Sequence, residues 1–172
     1  MNEKQYNIIY YHGMDSFLSD DKRSILEKFG KVSAPTYDYR KPEVLQSIAD
    51  DFDDPIEDTI VIGSSFGGYL ANMFSIAYDV PCLLFNPALP YRSIDLDMDQ
   101  PFDSAINSLS YFVIGKEDEI IKCEDNLRFI DKFVKGPKEV MVEYEMAHRV
   151  PVELFEKHVK NFFQLLAVPS PG

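Results

Sequence analysis

The chain has 172 residues, of which 45% are hydrophobic and 27% are charged, and its formal net charge is −12. These values are typical of a soluble globular protein, and a chain of this length can bury a hydrophobic core of its own. The acidic excess argues against nucleic acid as a partner, because nucleic-acid binding depends mainly on Lys and Arg side chains that neutralise phosphates. No apolar run approaches the ~18 to 20 residues that a membrane-spanning helix needs, so we expect no membrane partner.

The N-terminus and the cysteines indicate where the protein is located and which sites it lacks. The first residues pass directly into a strand-like run and lack the charged and then apolar layout of a secretion signal, so we expect a cytoplasmic protein. The two cysteines, Cys82 and Cys123, are too few for a disulfide framework or for a zinc site of their own. Cys82 lies in an apolar run and is predicted to be buried and chemically inert.

Strand-like and helical patterns alternate along the first half of the chain. In chain order we predict a strand over 6–11, a helix over 21–29 capped by Asp20, a strand over 31–39, a helix that begins at Pro42 and runs through Phe52, and a strand over 58–62. The last of these strands is continuous and β-branched, which is typical of a strand inside a parallel sheet.

The same alternation continues in the second half. We predict a helix over 66–78, strands over 81–86 and 111–115, a helix over 122–133, a strand over 139–144 and a final helix over 151–166. Residues 87–108 form the one long irregular stretch, and long connections are often functional lids. The stretch either covers part of a pocket or fills the edge of the sheet; the side chains available to cover a pocket are Tyr91, Leu96, Met98 and Phe102.

Strands that alternate with helices predict an α/β fold. Right-handed crossovers then place helices on both faces of a mainly parallel, roughly six-stranded sheet. We expect residues 1–167 to form a single domain and residues 168–172 to form a loose C-terminal tail.

Residues 63–68 (GSSFGG) carry the clearest chemical signal in the sequence. They join a β-branched strand to a helix through a sharp turn, which needs small residues on both sides of a strained central residue. Gly63 and Gly67 supply the small residues, and Ser65 is the central one. We predict that Ser65 is the nucleophile of a serine hydrolase. The alternative is a turn that binds phosphate at the helix N-terminus, although the sequence has neither a Walker lysine nor a G-x-G-x-x-G spacing.

A serine nucleophile needs a base to accept its proton, and the chain has three histidines. His148 follows the last strand, at the edge of the sheet where the sites of open α/β folds form, and is predicted to be the base. His12 ends the first strand and could face the same pocket. His158 lies within the last helix beside Lys157 and is predicted to be a surface residue.

The base in turn needs an acid that orients it, and three carboxylates follow the fifth strand. We predict that Asp118 is this acid, because it precedes an apolar pair, Ile120 and Ile121, that would dock the loop against the body of the protein. Glu117 is the main alternative, and Glu119 is a further one.

The tetrahedral intermediate of acyl transfer needs donors for its oxyanion. The N-terminus of the helix after Ser65 offers the backbone N–H of Phe66. The glycine turn after the first strand offers the backbone N–H of Met14 as a second donor, although a plain turn would have the same sequence.

With these residues the chain resembles the α/β-hydrolase superfamily, and more closely the small bacterial esterases of the YqiA type. The resemblance is carried by the segments YYHG (10–13), GSSFGGY (63–69), FNPA (85–88), DEI (118–120) and AH (147–148). The chain order serine, aspartate, histidine is also the one that this fold uses.

The resemblance implies an α/β-hydrolase fold. Because the first strand begins near residue 6, we expect a minimal version that lacks the early antiparallel strands of larger members. The resemblance assigns Ser65 as nucleophile, Asp118 as acid and His148 as base. It further implies esterase-type activity on short acyl ester or thioester substrates. We therefore expect a small-molecule substrate as partner, and hydrolysis by these residues needs no metal or organic cofactor.

Other functions are compatible with the same residues. A peptidase or an acyltransferase would use the same Ser-His-Asp triad, and a catalytically silent member of the fold would serve as a binding module. The sequence leaves open the natural substrate, the acyl-chain preference and the oligomeric state.

Overall fold

The computed structural model describes residues 4–52, 57–94, 96 and 105–169. The strands are β1 (Tyr6–Tyr11), β2 (Gly30–Ser33), β3 (Thr59–Ser64), β4 (Cys82–Phe85), β5 (Ser110–Gly115) and β6 (Lys138–Glu143). The helices are α1 (Asp20–Glu27), α2 (Val44–Asp50), α3 (Phe66–Tyr78), α4 (Cys123–Phe133) and α5 (Val152–Ala167). The described strands form one sheet in the order β2-β1-β3-β4-β5-β6, and every neighbouring pair is parallel. The predicted α/β fold is therefore confirmed.

Helices cover both faces of the sheet. On one face, α2, α3 and α4 pack over a core that includes Leu84 and Phe112. On the other face, α1 and α5 pack over a core that includes Phe85 and Phe155. Every residue of β4 and β5 is buried, which explains why their sequences are continuous apolar runs rather than alternating ones.

The register of the sheet brings the carboxyl ends of its strands to one edge. Tyr11 at the end of β1 lies opposite Gly63 of β3, and Ser64 at the end of β3 lies opposite Phe85 of β4. At the other side, the last residue of β5 lies opposite the last residue of β6. The loops that follow these strands therefore leave the sheet at the same edge, where sites of open α/β folds form.

The second strand is the main difference between the predicted and the observed elements. Most other boundaries agree to within about two residues, which is the ordinary scatter of boundary assignment. The strand predicted over 31–39 ends at Ser33, because Pro35 has no N–H to donate to a neighbouring strand. Further on, the N–H of Tyr37 donates to Nε2 of His12 at 2.8 Å instead of joining the sheet.

Two local predictions are wrong, and one is confirmed. The side chain that caps α1 is that of Ser19, whose hydroxyl accepts from the N–H of Lys22, so Asp20 is the first helical residue. His158 is fully buried rather than at the surface, because α5 turns this position toward the sheet. Cys82 is buried, as predicted.

Parts of the long stretch over 87–108 and of the C-terminal tail are described. Leu96 packs against the core, and its carbonyl accepts a hydrogen bond from the Tyr69 hydroxyl at 3.2 Å. Met98, Phe102 and residues 170–172 lie outside the described residues. The division into one domain over 1–167 stays a prediction. Within the described ranges, no helix is long and apolar enough to cross a membrane.

Candidate active site

Ser65 lies at the junction of β3 and α3 in a strained conformation. Its backbone has φ 55° and ψ −119°, a region that residues with side chains rarely adopt. Neighbouring backbone holds it there: the N–H of Ser65 donates to the carbonyl of Phe85 at 3.0 Å, and its own carbonyl accepts from the N–H of Ala88 at 2.9 Å. The turn is thus anchored to the end of β4, and the Ser65 side chain remains partly exposed.

The two glycines that flank this turn are required by close packing of backbone. A Cβ atom added to Gly63 would lie 2.1 Å from the carbonyl oxygen of Gly67. A Cβ atom added to Gly67 would lie 2.0 Å from the carbonyl oxygen of Tyr11. Both distances are far inside van der Waals contact, and the obstacles are backbone atoms of the central sheet and of α3. The sharp strand-to-helix turn therefore forms only with glycine at both positions.

Asp118 and His148 are joined by a hydrogen bond. Oδ2 of Asp118 lies 2.8 Å from Nδ1 of His148, and the Asp118 side chain is 0% exposed whereas that of His148 is 26% exposed. A carboxylate only accepts hydrogen bonds, so Nδ1 carries the proton and Nε2 of the neutral ring is left as an acceptor. The hydrogen bond to Asp118 therefore fixes the orientation of the His148 ring, and Nε2 remains available to accept a proton.

The loop after β5 carries three carboxylates, and its backbone binds one of them, Asp118. The second carboxylate oxygen of Asp118, Oδ1, accepts from the N–H groups of Ile120 at 2.8 Å and Ile121 at 2.9 Å. Glu117 and Glu119 are both exposed. Of the three, Asp118 is the one that contacts His148.

Ser65 and His148 line the same cavity, which has a volume of about 570 Å³. Within the part of the chain that the structure describes, no hydrogen bond joins the Ser65 hydroxyl to His148. Such hydrogen bonds often tighten only when substrate binds. The structure thus brings Asp118 and His148 into contact and places Ser65 in the cavity that His148 borders.

Met14 and Phe66 also line this cavity. The N–H of Phe66 belongs to the first turn of α3, where backbone N–H groups have no acceptor within the helix. Among the described residues, no acceptor is found for the N–H of Phe66 or for that of Met14. Both donors are therefore available to an oxygen atom in the cavity.

His12 makes different contacts from His148. It is buried, its Nδ1 lies 2.6 Å from the carbonyl oxygen of Gly13, and its Nε2 accepts from the N–H of Tyr37. Burial lowers the pKa of His12, which is consistent with a neutral ring that donates from Nδ1 and accepts at Nε2. Both nitrogens are used in holding the turn that carries Met14.

Asn86 holds part of this site together, which the sequence did not predict. It directly follows β4, has φ 41° and is 1% exposed. Its Nδ2 donates to the carbonyls of Ala147 (2.9 Å) and His148 (3.0 Å), and its Oδ1 accepts from the N–H of Gly115 (2.7 Å). One buried amide thus ties together the loops that carry Asp118 and His148. An Asn directly after a buried strand was the sequence signal for this position, because Asn adopts the positive φ of a sharp turn more readily than most residues.

The fold has close counterparts among solved structures. Alpha/beta hydrolase domain-containing protein 10 from mouse superposes with a TM-score of 0.68 at 15% identity, covering 97% of this chain and 93% of that one. Est1E from Butyrivibrio proteoclasticus gives 0.65 at 16% identity, with 95% and 88% covered. An alpha-beta serine hydrolase homologue from Coxiella burnetii gives 0.65 at 18% identity, with 96% and 86% covered. The chain therefore has the α/β-hydrolase fold.

Sequence comparison places the chain in a family. The model of UPF0227, an uncharacterised protein family, matches residues 7–111, and the chain belongs to that family. The matched range includes Ser65 and Asn86 and ends before Asp118 and His148. A search of curated protein sequences returns no match.

Proposed function

We propose that this protein is a serine hydrolase that cleaves acyl ester or thioester bonds through an acyl-enzyme on Ser65. The observation that carries the proposal is the hydrogen bond between the buried Asp118 and His148, beside the cavity that contains Ser65 on its strained turn. A strained nucleophile, a base with a free nitrogen and a buried acid are the groups that acyl transfer requires. The α/β-hydrolase fold supports the same reaction class by analogy.

The first half of the reaction forms the acyl-enzyme. Nε2 of His148 accepts the Ser65 proton as the serine oxygen bonds to the substrate carbonyl carbon. Asp118 stabilises the imidazolium that results and keeps its orientation. The carbonyl oxygen becomes an oxyanion, to which the N–H groups of Met14 and Phe66 donate. When the intermediate collapses, the bond to the leaving group breaks, and the leaving alcohol or thiol takes the proton from His148.

The second half releases the acid. Water loses a proton to Nε2 of His148 and attacks the acyl carbon, which gives a second oxyanion in the same position. Collapse of this intermediate breaks the bond to the Ser65 oxygen, which recovers its proton from His148. Each proton that leaves Ser65 or water therefore returns to a product or to Ser65, and no redox partner is involved.

A fluorophosphonate probe tests the nucleophile directly. The probe should label the wild-type protein and not the Ser65→Ala variant, and mass spectrometry of the labelled peptide should locate the adduct on Ser65. Folded wild-type protein that does not react would exclude a serine hydrolase and would favour a silent binding module. Equal labelling of wild type and variant would assign the nucleophile elsewhere.

Turnover measurements test the base and separate the neighbouring activities. The His148→Ala variant should lose about 10³-fold or more in kcat on p-nitrophenyl butyrate, as removal of a triad base usually does. Normal turnover in this variant would rule out His148 as the base. A series of p-nitrophenyl esters, acyl-coenzyme A thioesters and peptides, with and without a competing alcohol acceptor, then distinguishes an esterase from a peptidase or an acyltransferase.

A further inference from the structure

The cavity of the candidate active site carries positive charge on a strongly acidic protein. Three cations line it: Lys22 on α1, Arg149, which is the residue after His148, and Arg92, whose guanidinium lies 4.4 Å from the centre of the Tyr69 ring. The only carboxylate among the described lining residues is that of Asp15. Arg40 binds both oxygens of Asp15, at 2.7 and 2.6 Å, and so neutralises its charge. The described wall of the cavity is therefore cationic.

Neither Lys22 nor Arg149 has a carboxylate partner among the described residues. This is not explained by a shortage of carboxylates, because the chain has 29 acidic residues against 17 Lys and Arg. Some cations elsewhere are paired, as between Lys4 and Asp58 at 2.7 Å, whereas exposed ones such as Lys41 and Lys135 also have no carboxylate partner among the described residues. What distinguishes Lys22 and Arg149 is that they border one cavity, in which the one carboxylate among the described lining residues is already paired with Arg40.

Lys22 is held at the cavity rather than extended into solvent. Its side chain is half-buried, and its Nζ lies 5.3 Å from the centre of the Phe155 ring. Burial lowers the pKa of Lys22, and the charge of Arg149 lowers it further. Both effects disfavour the charged amine, and a bound anion would offset the repulsion between the two cations.

We propose that Lys22 and Arg149 form a subsite for an anionic group of the substrate, a carboxylate or a phosphate. This inference rests on the proposed hydrolase function and specifies its substrate class as acyl esters or thioesters that carry a negative charge. Arg149 lines the same cavity as Ser65 and His148, so an anion that it binds lies in the cavity where the bond is cleaved. The charged group belongs either to the acyl part or to the leaving group, and these two sources can be distinguished by experiment.

The kinetic test compares matched pairs of substrates. For the acyl part, p-nitrophenyl hemisuccinate carries a carboxylate where p-nitrophenyl butyrate carries a methyl group. For the leaving group, butyryl-coenzyme A carries phosphates that S-butyryl-pantetheine lacks. In the wild type, kcat/KM should favour the charged member of at least one pair. Because a hydrogen bond to a charged group contributes about a factor of ten or more, each of Lys22→Gln and Arg149→Gln should reduce that selectivity about tenfold.

Control variants separate a specific subsite from the overall charge of the protein. Lys135→Gln and Arg128→Gln remove the same charges from exposed positions of the surface away from the cavity. These two variants should keep the wild-type selectivity. An equal loss of selectivity in the control variants would mean that long-range attraction, and not a subsite, favours charged substrates.

A binding measurement keeps the inference testable without turnover. Calorimetric titration of the Ser65→Ala variant with monomethyl succinate and with methyl butyrate compares a charged and a neutral ester that this variant is not expected to cleave. Monoethyl phosphate extends the comparison to a phosphate. At least one anion should bind more tightly than methyl butyrate, and addition of Lys22→Gln and Arg149→Gln should remove the difference.

The outcomes separate this inference from the function on which it rests. Labelling of Ser65 and hydrolysis of neutral esters, with no preference for any charged ester and no anion binding, would overturn the anionic subsite and leave the hydrolase intact. Failure of labelling in folded wild type would overturn the hydrolase. In that case the calorimetric titration alone decides whether Lys22 and Arg149 bind an anion.

Discussion

Replacement of Asn86 with glycine should weaken both the fold and catalysis, because one side chain holds two loops of the candidate active site. The change removes a hydrogen bond to each of two carbonyls, those of Ala147 and His148, and the acceptor of the Gly115 N–H. Glycine is chosen because it adopts the positive φ of 41° without strain, so that the loss reports on the hydrogen bonds.

The magnitude follows from the number of contacts. Three hydrogen bonds of the buried Asn86 side chain at about 1 kcal/mol each, together with the higher backbone entropy of glycine in the unfolded chain, give a loss of about 3 to 4 kcal/mol in the free energy of unfolding. Release of the loop that carries His148 should also displace its imidazole. Displacements of this kind reduce kcat by about 10- to 100-fold, with a smaller effect on KM.

The assay combines urea denaturation with turnover of p-nitrophenyl butyrate. Asn7→Gly is the matched control, because Asn7 is exposed on β1 and its replacement measures the cost of glycine without the loss of buried hydrogen bonds. Asn7→Gly should cost about 1 kcal/mol and leave kcat unchanged. If Asn86→Gly is no less stable than Asn7→Gly, or if it keeps the wild-type kcat, Asn86 does not hold the two loops as we infer.

Three other predictions test separate parts of the structure. Asp118→Asn should lower kcat by about 10⁴-fold in steady-state kinetics, since the amide favours the wrong tautomer of His148. Glu117→Gln, at an exposed position, should have little effect. The reverse order would identify Glu117 and not Asp118 as the acid. Gly67→Ala should prevent folding, as judged by circular dichroism, because its Cβ would lie 2.0 Å from the carbonyl oxygen of Tyr11. Gly13→Ala should fold normally, because the nearest atom to its Cβ would be 3.5 Å away. Burial lowers the pKa values of His12 and His158 below 6.5, so the unfolded chain binds more protons between the folded-state pKa values and 6.5. The free energy of unfolding should therefore be greatest above pH 6.5 and decline as the pH falls below it, and a flat urea-denaturation profile between about pH 5 and pH 7 would contradict this.

Much of the fold could be predicted from the sequence because its signals are local. The strands inside the sheet are continuous apolar runs, and α5 repeats its apolar residues at helical spacing. The turn at Ser65 was also predictable, since the collision between a Cβ at position 63 and the backbone of Gly67 involves residues only four apart. The second strand was overestimated for two reasons. Pro35 is a local signal that ends it, and the N–H of Tyr37 beyond it donates to His12, which lies far away in sequence.

The order of the strands and the contacts of the site were decided by tertiary structure. Burial of His158 depends on how α5 rotates against β5 and β6, where Tyr111 and Glu143 hold the imidazole. The distinction between Asp118 and its neighbours depends on N–H groups and on a histidine from another loop, so composition alone left it open.

The sequence by itself determined the elements, the strained turn at Ser65 and the short set of residues able to serve as base and acid. Their side-chain types and spacing act over a few neighbouring residues, and each such pattern can be recognised without knowledge of the rest of the chain. Only the tertiary structure decided that Asn86 joins two loops and that Lys22 and Arg149 border one cavity. These arrangements join residues that are distant in sequence, and they exist only after the parallel sheet has brought the ends of its strands to one edge.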